Sequence, residues 1–179
     1  MNLFDMSLDK NPANYVSLSP LTFLKRAADV YPNKPACVHG EQTFTWAETY
    51  IRCVKLASAL SRKGIKKGDT VSAMLPNIPA MFELHFAVPM LGAVLHTINT
   101  RLDVKSVAFQ LDHSESKAIF IDGEFSDVMA AAAKEAEVSP FVVDVEDATF
   151  KAGRLIGEIE YESFLEAGSQ LFEWGLPED

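Results

Sequence analysis

Residues 68–102 read GDTVSAMLPNIPAMFELHFAVPMLGAVLHTINTRL. The turn pair Gly68-Asp69 opens the stretch, and residues 70–75 follow with Val71, Ala73 and Leu75 spaced for a buried strand. Pro76-Asn77 stops that strand, and Asn77 can cap a helix beginning at Ile78-Pro79. From Ala80 to Leu91 the chain is apolar nearly all round, broken by Glu83 and His85, so this helix needs protein on most sides. Pro89 removes a ladder donor, a loss of about 3 kcal/mol in a helix interior, which places a kink or an end near 83–89. Gly92 supplies a left-handed stop, and residues 93–98 form a short β-rich run. Strand, helix, strand is the unit of a parallel sheet with a right-handed crossover. The fold class is therefore α/β, and one such unit specifies no activity.

Working outward, Ser19-Pro20 has the form of an N-cap and first helical residue, with Leu21, Leu24, Ala27, Ala28 and Tyr31 at helical spacing. Residues 35–39 and 42–44 read as a short hairpin turning at Gly40-Glu41. Thr45-Trp46-Ala47-Glu48 is a capping box. The helix behind it carries a polar stripe (Glu48, Arg52, Lys55, Ser58, Arg62) and an apolar one (Ala47, Tyr50, Ile51, Val54, Ala57) before Gly64. Downstream, Asp103 caps a helix over 104–112, residues 117–122 form a buried strand, 125–137 an alanine-rich helix, and 140–144 a further strand. The pattern predicts that Val71, Ala73, Val94, Ile98, Ile119 and Ile121 are buried in adjacent parallel strands. The expected organisation is an N-terminal arm over 1–18, an α/β unit over 19–145, and a loop, short helix and acidic surface tail over 146–179.

Composition narrows the function classes. A net charge of −9 disfavours nucleic-acid partners and anionic membranes, both of which need a basic surface. The longest apolar run, 84–95, is too short to span a bilayer, so no membrane insertion is expected. Met1–Leu8 shows no secretory pattern, and Cys37 and Cys53 lack metal or redox spacing; two reduced, buried thiols in a cytoplasmic protein is the reading. The four histidines, at 39, 85, 96 and 113, never pair at ligand spacing, so no metal site is expected, and His85 is read as a core residue bonded to backbone.

The candidate site residues are His96, Asn99 and Arg101. They fall at the carboxyl end of the second strand, where open α/β sheets bind ligands. Strict alternation puts His96 on the face of Val94 and Ile98. Asn99 suits an Asx-type turn leaving the strand, and Arg101 an ion pair with Asp103 or a more distant carboxylate. Asp69 and Glu83 supply no acid/base pair, and no catalytic residue is assigned.

Four runs carry a resemblance: residues 44–48 (FTWAE), 64–71 (GIKKGDTV), 75–77 (LPN) and 92–102 (GAVLHTINTRL). In this order and spacing the chain resembles the N-terminal part of the AMP-forming acyl-CoA synthetases, the acyl-activating superfamily, over about residues 19–122. The run at 96–102 looks most like the medium-chain branch, which includes ligases of methylthio acids. For an intact enzyme the resemblance implies ATP, Mg²⁺ and CoA, with a fatty, short apolar or methylthio carboxylic acid activated as its acyl-AMP and then transferred to the thiol. The family's phosphate loop, adenine and ribose motifs and C-terminal lysine have no match here, and the loop would follow soon after residues 174–177 (WGLP). No cofactor is therefore expected on this chain. The expected partner is the C-terminal portion of the same enzyme, with a homo-oligomer possible; the rival reading is a truncated, non-catalytic dimerisation or docking module.

Overall fold

The computed structural model describes residues 6, 9–11, 13–15, 18–150 and 153–176. Most of the arm expected over 1–18, and the last three residues of the tail, lie outside them. Helix α1 (Pro20–Val30) starts where Ser19 Oγ accepts the Leu21 amide at 3.3 Å. Strands β1 (Pro35–His39) and β2 (Gln42–Thr45) form the antiparallel hairpin, with Gly40 at φ +58° in the turn. Helix α2 (Trp46–Arg62) then begins with both halves of the capping box, the Glu48 amide on Thr45 Oγ1 and the Thr45 amide on Glu48 Oε2.

A five-stranded parallel sheet follows, ordered β4-β3-β5-β6-β7. Its strands are β3 (Thr70–Met74), β4 (Val94–Thr97), β5 (Ser116–Asp122), β6 (Phe141–Val145) and β7 (Ile159–Glu160). Helix α3 (Pro79–Ala87) joins β3 to β4 and stops before Pro89; a short 3₁₀ turn over Pro89–Leu91 leads into Gly92 at φ +66°. Helices α4 (Val104–His113) and α5 (Ser126–Glu135) make the next two crossovers, and α6 (Tyr161–Glu166) follows β7. Asp103 caps α4 through the Ser106 amide at 2.9 Å.

Alternation along the strands divides the core in two. Val71, Ala73, Ala118, Phe120 and Val143 pack with α1, α2, α3 and α6. Met74, Ile98, Ile119 and Ile121 face Val107 and Leu111 of α4 and Met129 and Ala132 of α5.

One charged cluster runs through the first of these cores. Glu83 of α3 is 1% exposed. Its Oε1 accepts Arg52 Nε at 2.6 Å, and the Tyr161 hydroxyl donates to its Oε2. The remaining guanidinium nitrogens hold both oxygens of Glu162 at 2.9 and 2.6 Å, and the group lies 4.7 Å from the Phe44 ring centre. Arg52 is thus no member of an exposed stripe. Ser58 is buried as well, whereas Ile51 on the expected apolar stripe is 40% exposed. Helix α2 has α1, α3 and α6 around it, so more of its circumference is covered than a two-stripe helix would allow.

Other expectations fail as well. Val94 is 53% exposed because β4 is the sheet edge, with a neighbour on one side only. Asn77 does not cap α3; Ile78 occupies that position without a side-chain bond, and Pro79 enters as first residue, needing no donor partner. His85 is exposed, although its Nδ1 does meet the Met81 carbonyl at 2.8 Å. Cys53 is buried but Cys37 is only half-buried. The segment expected as a surface tail returns along α2: Ser169 N bonds Ser58 Oγ at 3.0 Å, and Trp174 Nε1 bonds Tyr50 at 3.2 Å.

Because the Thr45 hydroxyl accepts the Glu48 amide that the start of α2 leaves free, Thr45→Ala is expected to lower stability by about 1 kcal/mol. Urea unfolding should show a reduced midpoint at unchanged slope; an unaltered midpoint would show that the cap contributes nothing.

Candidate functional site

The winding of the sheet singles out one place. The connection leaving β3 passes over the α3 face, while that leaving β5 passes over the α5 face. The carboxyl ends of β3 and β5 therefore diverge, which is the switch point where open α/β sheets bind ligands. Pro76 and Asn77 lie on one side of it and Asp122-Gly123 on the other. The candidates chosen from sequence stand one strand further out, at the end of β4.

The structure does not gather His96, Asn99 and Arg101 into one cluster. Asn99 Oδ1 accepts the Arg101 amide at 2.9 Å, the expected Asx turn, and both residues are exposed. Among the described residues Arg101 makes no ion pair. His96 sits within β4, half-buried on the α4 side, with Nδ1 3.0 Å from Ser72 Oγ. Burial pulls its pKa below the usual histidine value, against a smaller opposing effect of Gln110.

Carboxylates dominate the rest of this rim. Asp122, 2% exposed at the end of β5, accepts the Glu124 amide at 2.8 Å through Oδ1, while Oδ2 has no hydrogen-bond partner among the described residues. Burial pushes its pKa up, and nearby Asp147 adds to that. Asp147 Oδ1 takes the Thr149 amide at 2.7 Å and meets His39 Nε2 at 2.8 Å. Burial raises the Asp147 pKa, but the Thr149 amide and His39 together outweigh it, and the carboxyl ends below the usual aspartate range. A cavity of about 160 Å³ lies between Asp122, Gly123, Val145, Glu146 and Asp147, closed by Phe150, Gly153 and Leu155. Among the described residues no three His, Cys, Asp or Glu side chains are grouped to hold a metal ion. Among the described residues that line this cavity, Asp122, Glu146 and Asp147 are acidic and none is a lysine or arginine.

Comparison with known proteins identifies the family. The family model described as "AMP-binding enzyme" matches residues 24–166. The chain belongs to this AMP-binding enzyme family. An acetate–CoA ligase of Humulus lupulus is 42% identical across 96% of the chain and 32% of the relative. A peroxisomal acetate/butyrate–CoA ligase of Arabidopsis thaliana is 44% identical over the same shares. The chain thus spans about a third of the length of these relatives. Among solved structures, an anthranilate CoA ligase in complex with anthranoyl-AMP aligns at TM-score 0.78 and 17% identity, over 87% of this chain and 29% of that one. A benzoate CoA ligase from Burkholderia xenovorans aligns at TM-score 0.69 and 18% identity, over 83% and 28%. At these identities the likeness is one of fold. Of the described residues, no helix is long and apolar enough to cross a membrane.

Sequence reasoning missed the Arg52–Glu83–Tyr161 cluster and the Ser72–His96 bond. The signals present were single polar residues inside otherwise apolar elements: Glu83 in α3 and Ser72 in β3.

Asp147 gives a pH test. Its folded pKa is depressed, so its stabilising contribution is complete above the ordinary aspartate value of about 3.9 and disappears as pH falls through the lower folded value. Asp122, with a raised pKa, contributes with the opposite sign. The stability difference between the unsubstituted protein and Asp147→Asn should therefore narrow on acidification below about pH 4. Urea midpoints across this range measure it, and a pH-independent difference would contradict the assignment.

Proposed function

We propose that this chain is the N-terminal section of an ATP-dependent acid–CoA ligase. The whole enzyme would join a small apolar carboxylic acid (short, fatty or methylthio) to AMP with Mg²⁺ present, then pass the acyl group to the thiol of CoA. The observation that carries this is the identity of 42% and 44%, over 96% of the chain, to relatives named for acetate and butyrate. ATP, Mg²⁺ and CoA belong to the intact enzyme; the remaining C-terminal portion is this section's partner, and a homo-oligomer is compatible with it. The two free thiols suit a reducing compartment, and the cytoplasm is the proposed one.

Within that enzyme the section acts as scaffold. Tight triphosphate binding needs a nest of backbone amides with a lysine or bound Mg²⁺. Gly64 and Gly68, which flank a lysine pair, are instead occupied in closing α2 and opening β3. The turn carrying His96, Asn99 and Arg101 is proposed to border the substrate cavity, its place at a strand's carboxyl end being the support.

Two measurements test this. The chain alone should release no pyrophosphate from ATP with acetate, butyrate or octanoate; joined to the remaining sequence of the Humulus lupulus relative it should form the CoA thioester. Turnover by the chain alone would contradict the scaffold reading, and a folded but inert chimera would favour a docking module. In the active chimera, His96→Ala and Asn99→Ala should each lower kcat/KM on the order of tenfold, equivalent to about 1.4 kcal/mol of transition-state binding, at little change in Tm. Lower Tm with unchanged kinetics would make the turn purely structural.

A further inference from the structure

On the α4 side of the sheet a line of hydroxyls runs from the edge strand to the end of a helix. His96 Nδ1 is 3.0 Å from Ser72 Oγ, which is 2.6 Å from Ser116 Oγ. Ser116 Oγ is in turn 2.7 Å from Ser114 Oγ, and the Ser114 hydroxyl reaches the Leu111 carbonyl at 3.3 Å. Ser72 is fully buried and Ser116 is 3% exposed, so solvent does not interrupt the line at its centre.

Each hydroxyl has one proton to give, so such a line has a direction. The Leu111 carbonyl sets it, because a carbonyl can only accept. Leu111 lies in the last turn of α4, where carbonyls lose their intrahelical amides. The Ser114 amide goes to Asp112 and Gln110, and the Glu115 amide to Asp112. Among the described residues, the Ser114 hydroxyl is the one donor that reaches the Leu111 oxygen. Ser114 thus gives its proton to Leu111, Ser116 to Ser114, and Ser72 to Ser116. The Ser72 oxygen is left as an acceptor, so the imidazole nitrogen facing it must be the donor.

We infer that this serine relay holds neutral His96 as the Nδ1–H tautomer and leaves Nε2 as a hydrogen-bond acceptor. Any group that meets Nε2, the Gln110 NH₂ or a ligand group in its place, is then a donor (a hydroxyl, a thiol or an amide N–H) rather than a carboxylate oxygen. For a ligand group, that second statement rests on the proposed cavity-bordering turn; the tautomer does not. Burial keeps the ring neutral at physiological pH, and Gln110 can turn either its oxygen or its NH₂ toward it. Ser72, Ser114 and Ser116 are positioning residues. They act through His96, reversing the tautomer that an unrestrained imidazole prefers.

Nitrogen NMR reads this directly. In the chain labelled with ¹⁵N at histidine, two-bond ¹H–¹⁵N spectra at about pH 8 place all neutral rings in one tautomer or the other. His96→Gln assigns the signal among the four histidines. The expected result is a pyrrole-type Nδ1 and a pyridine-type Nε2 at His96. Ser72→Ala, and the less buried Ser114→Ala, should each move the pyridine-type signal to Nδ1. A pyridine-type Nδ1 in the unsubstituted protein, or a pattern indifferent to both substitutions, overturns the relay. Unchanged kinetics of His96→Ala alongside the expected spectra would instead remove the cavity reading and leave the relay intact.

Discussion

A carboxylate held almost out of water governs how this molecule is put together. Moving such a group into a protein interior costs several kcal/mol even after relaxation, and only charged or hydrogen-bonding partners offset it. Glu83 lies on a helix that offers none. Its partners come from elsewhere: Arg52 from α2, Tyr161 from the start of α6, positions 31 and 78 apart from it in sequence. Burial pushes the Glu83 pKa up while Arg52 and Tyr161 oppose it, and the two glutamates raise that of Arg52 against the cost of its own burial. Three helices are thereby required to meet at one point. The stacking of the guanidinium on Phe44 brings the hairpin to the same place. Such an ion pair adds little net stability over an apolar replacement, but breaking it strands a buried charge, so it joins α2, α3 and α6 at one place.

That arrangement decides where the site falls. With α3 fixed beside α2 and α6, the chain leaves β3 over one face and returns over the other through α4 and α5. The carboxyl ends of β3 and β5 diverge as a result. The rim so formed is rich in carboxylates and has no phosphate cradle among its described residues. The proposed ligase would therefore draw the groups that neutralise ATP from outside this section, with this section as scaffold.

Elements with a strong local signal were legible in the sequence. The strand–helix–strand unit of 68–102, the capping box at Thr45, the cap at Asp103 and the Asx turn at Asn99 all arise from residues close together in the chain. Contacts across the fold were not. Arg52 belongs by helical spacing to a polar stripe, and only the arrival of α3 and α6 converts it into a buried partner. Val94 has the pattern of a core residue, but alternation carries no information on which strand ends up at the edge. The rim at Asp122 depends on strand order, which neighbouring residues do not encode. The serine line joins β3, β5 and the end of α4, three places with no shared local pattern.

A double-mutant cycle on Arg52 and Glu83 tests the governing role of the buried carboxylate most directly. Arg52→Met alone strands Glu83 and should cost about 3–5 kcal/mol in urea unfolding, whereas adding Glu83→Leu removes the orphan charge and should restore much of the loss. The account predicts that the double variant is more stable than Arg52→Met. Two substitutions whose effects simply add would contradict it.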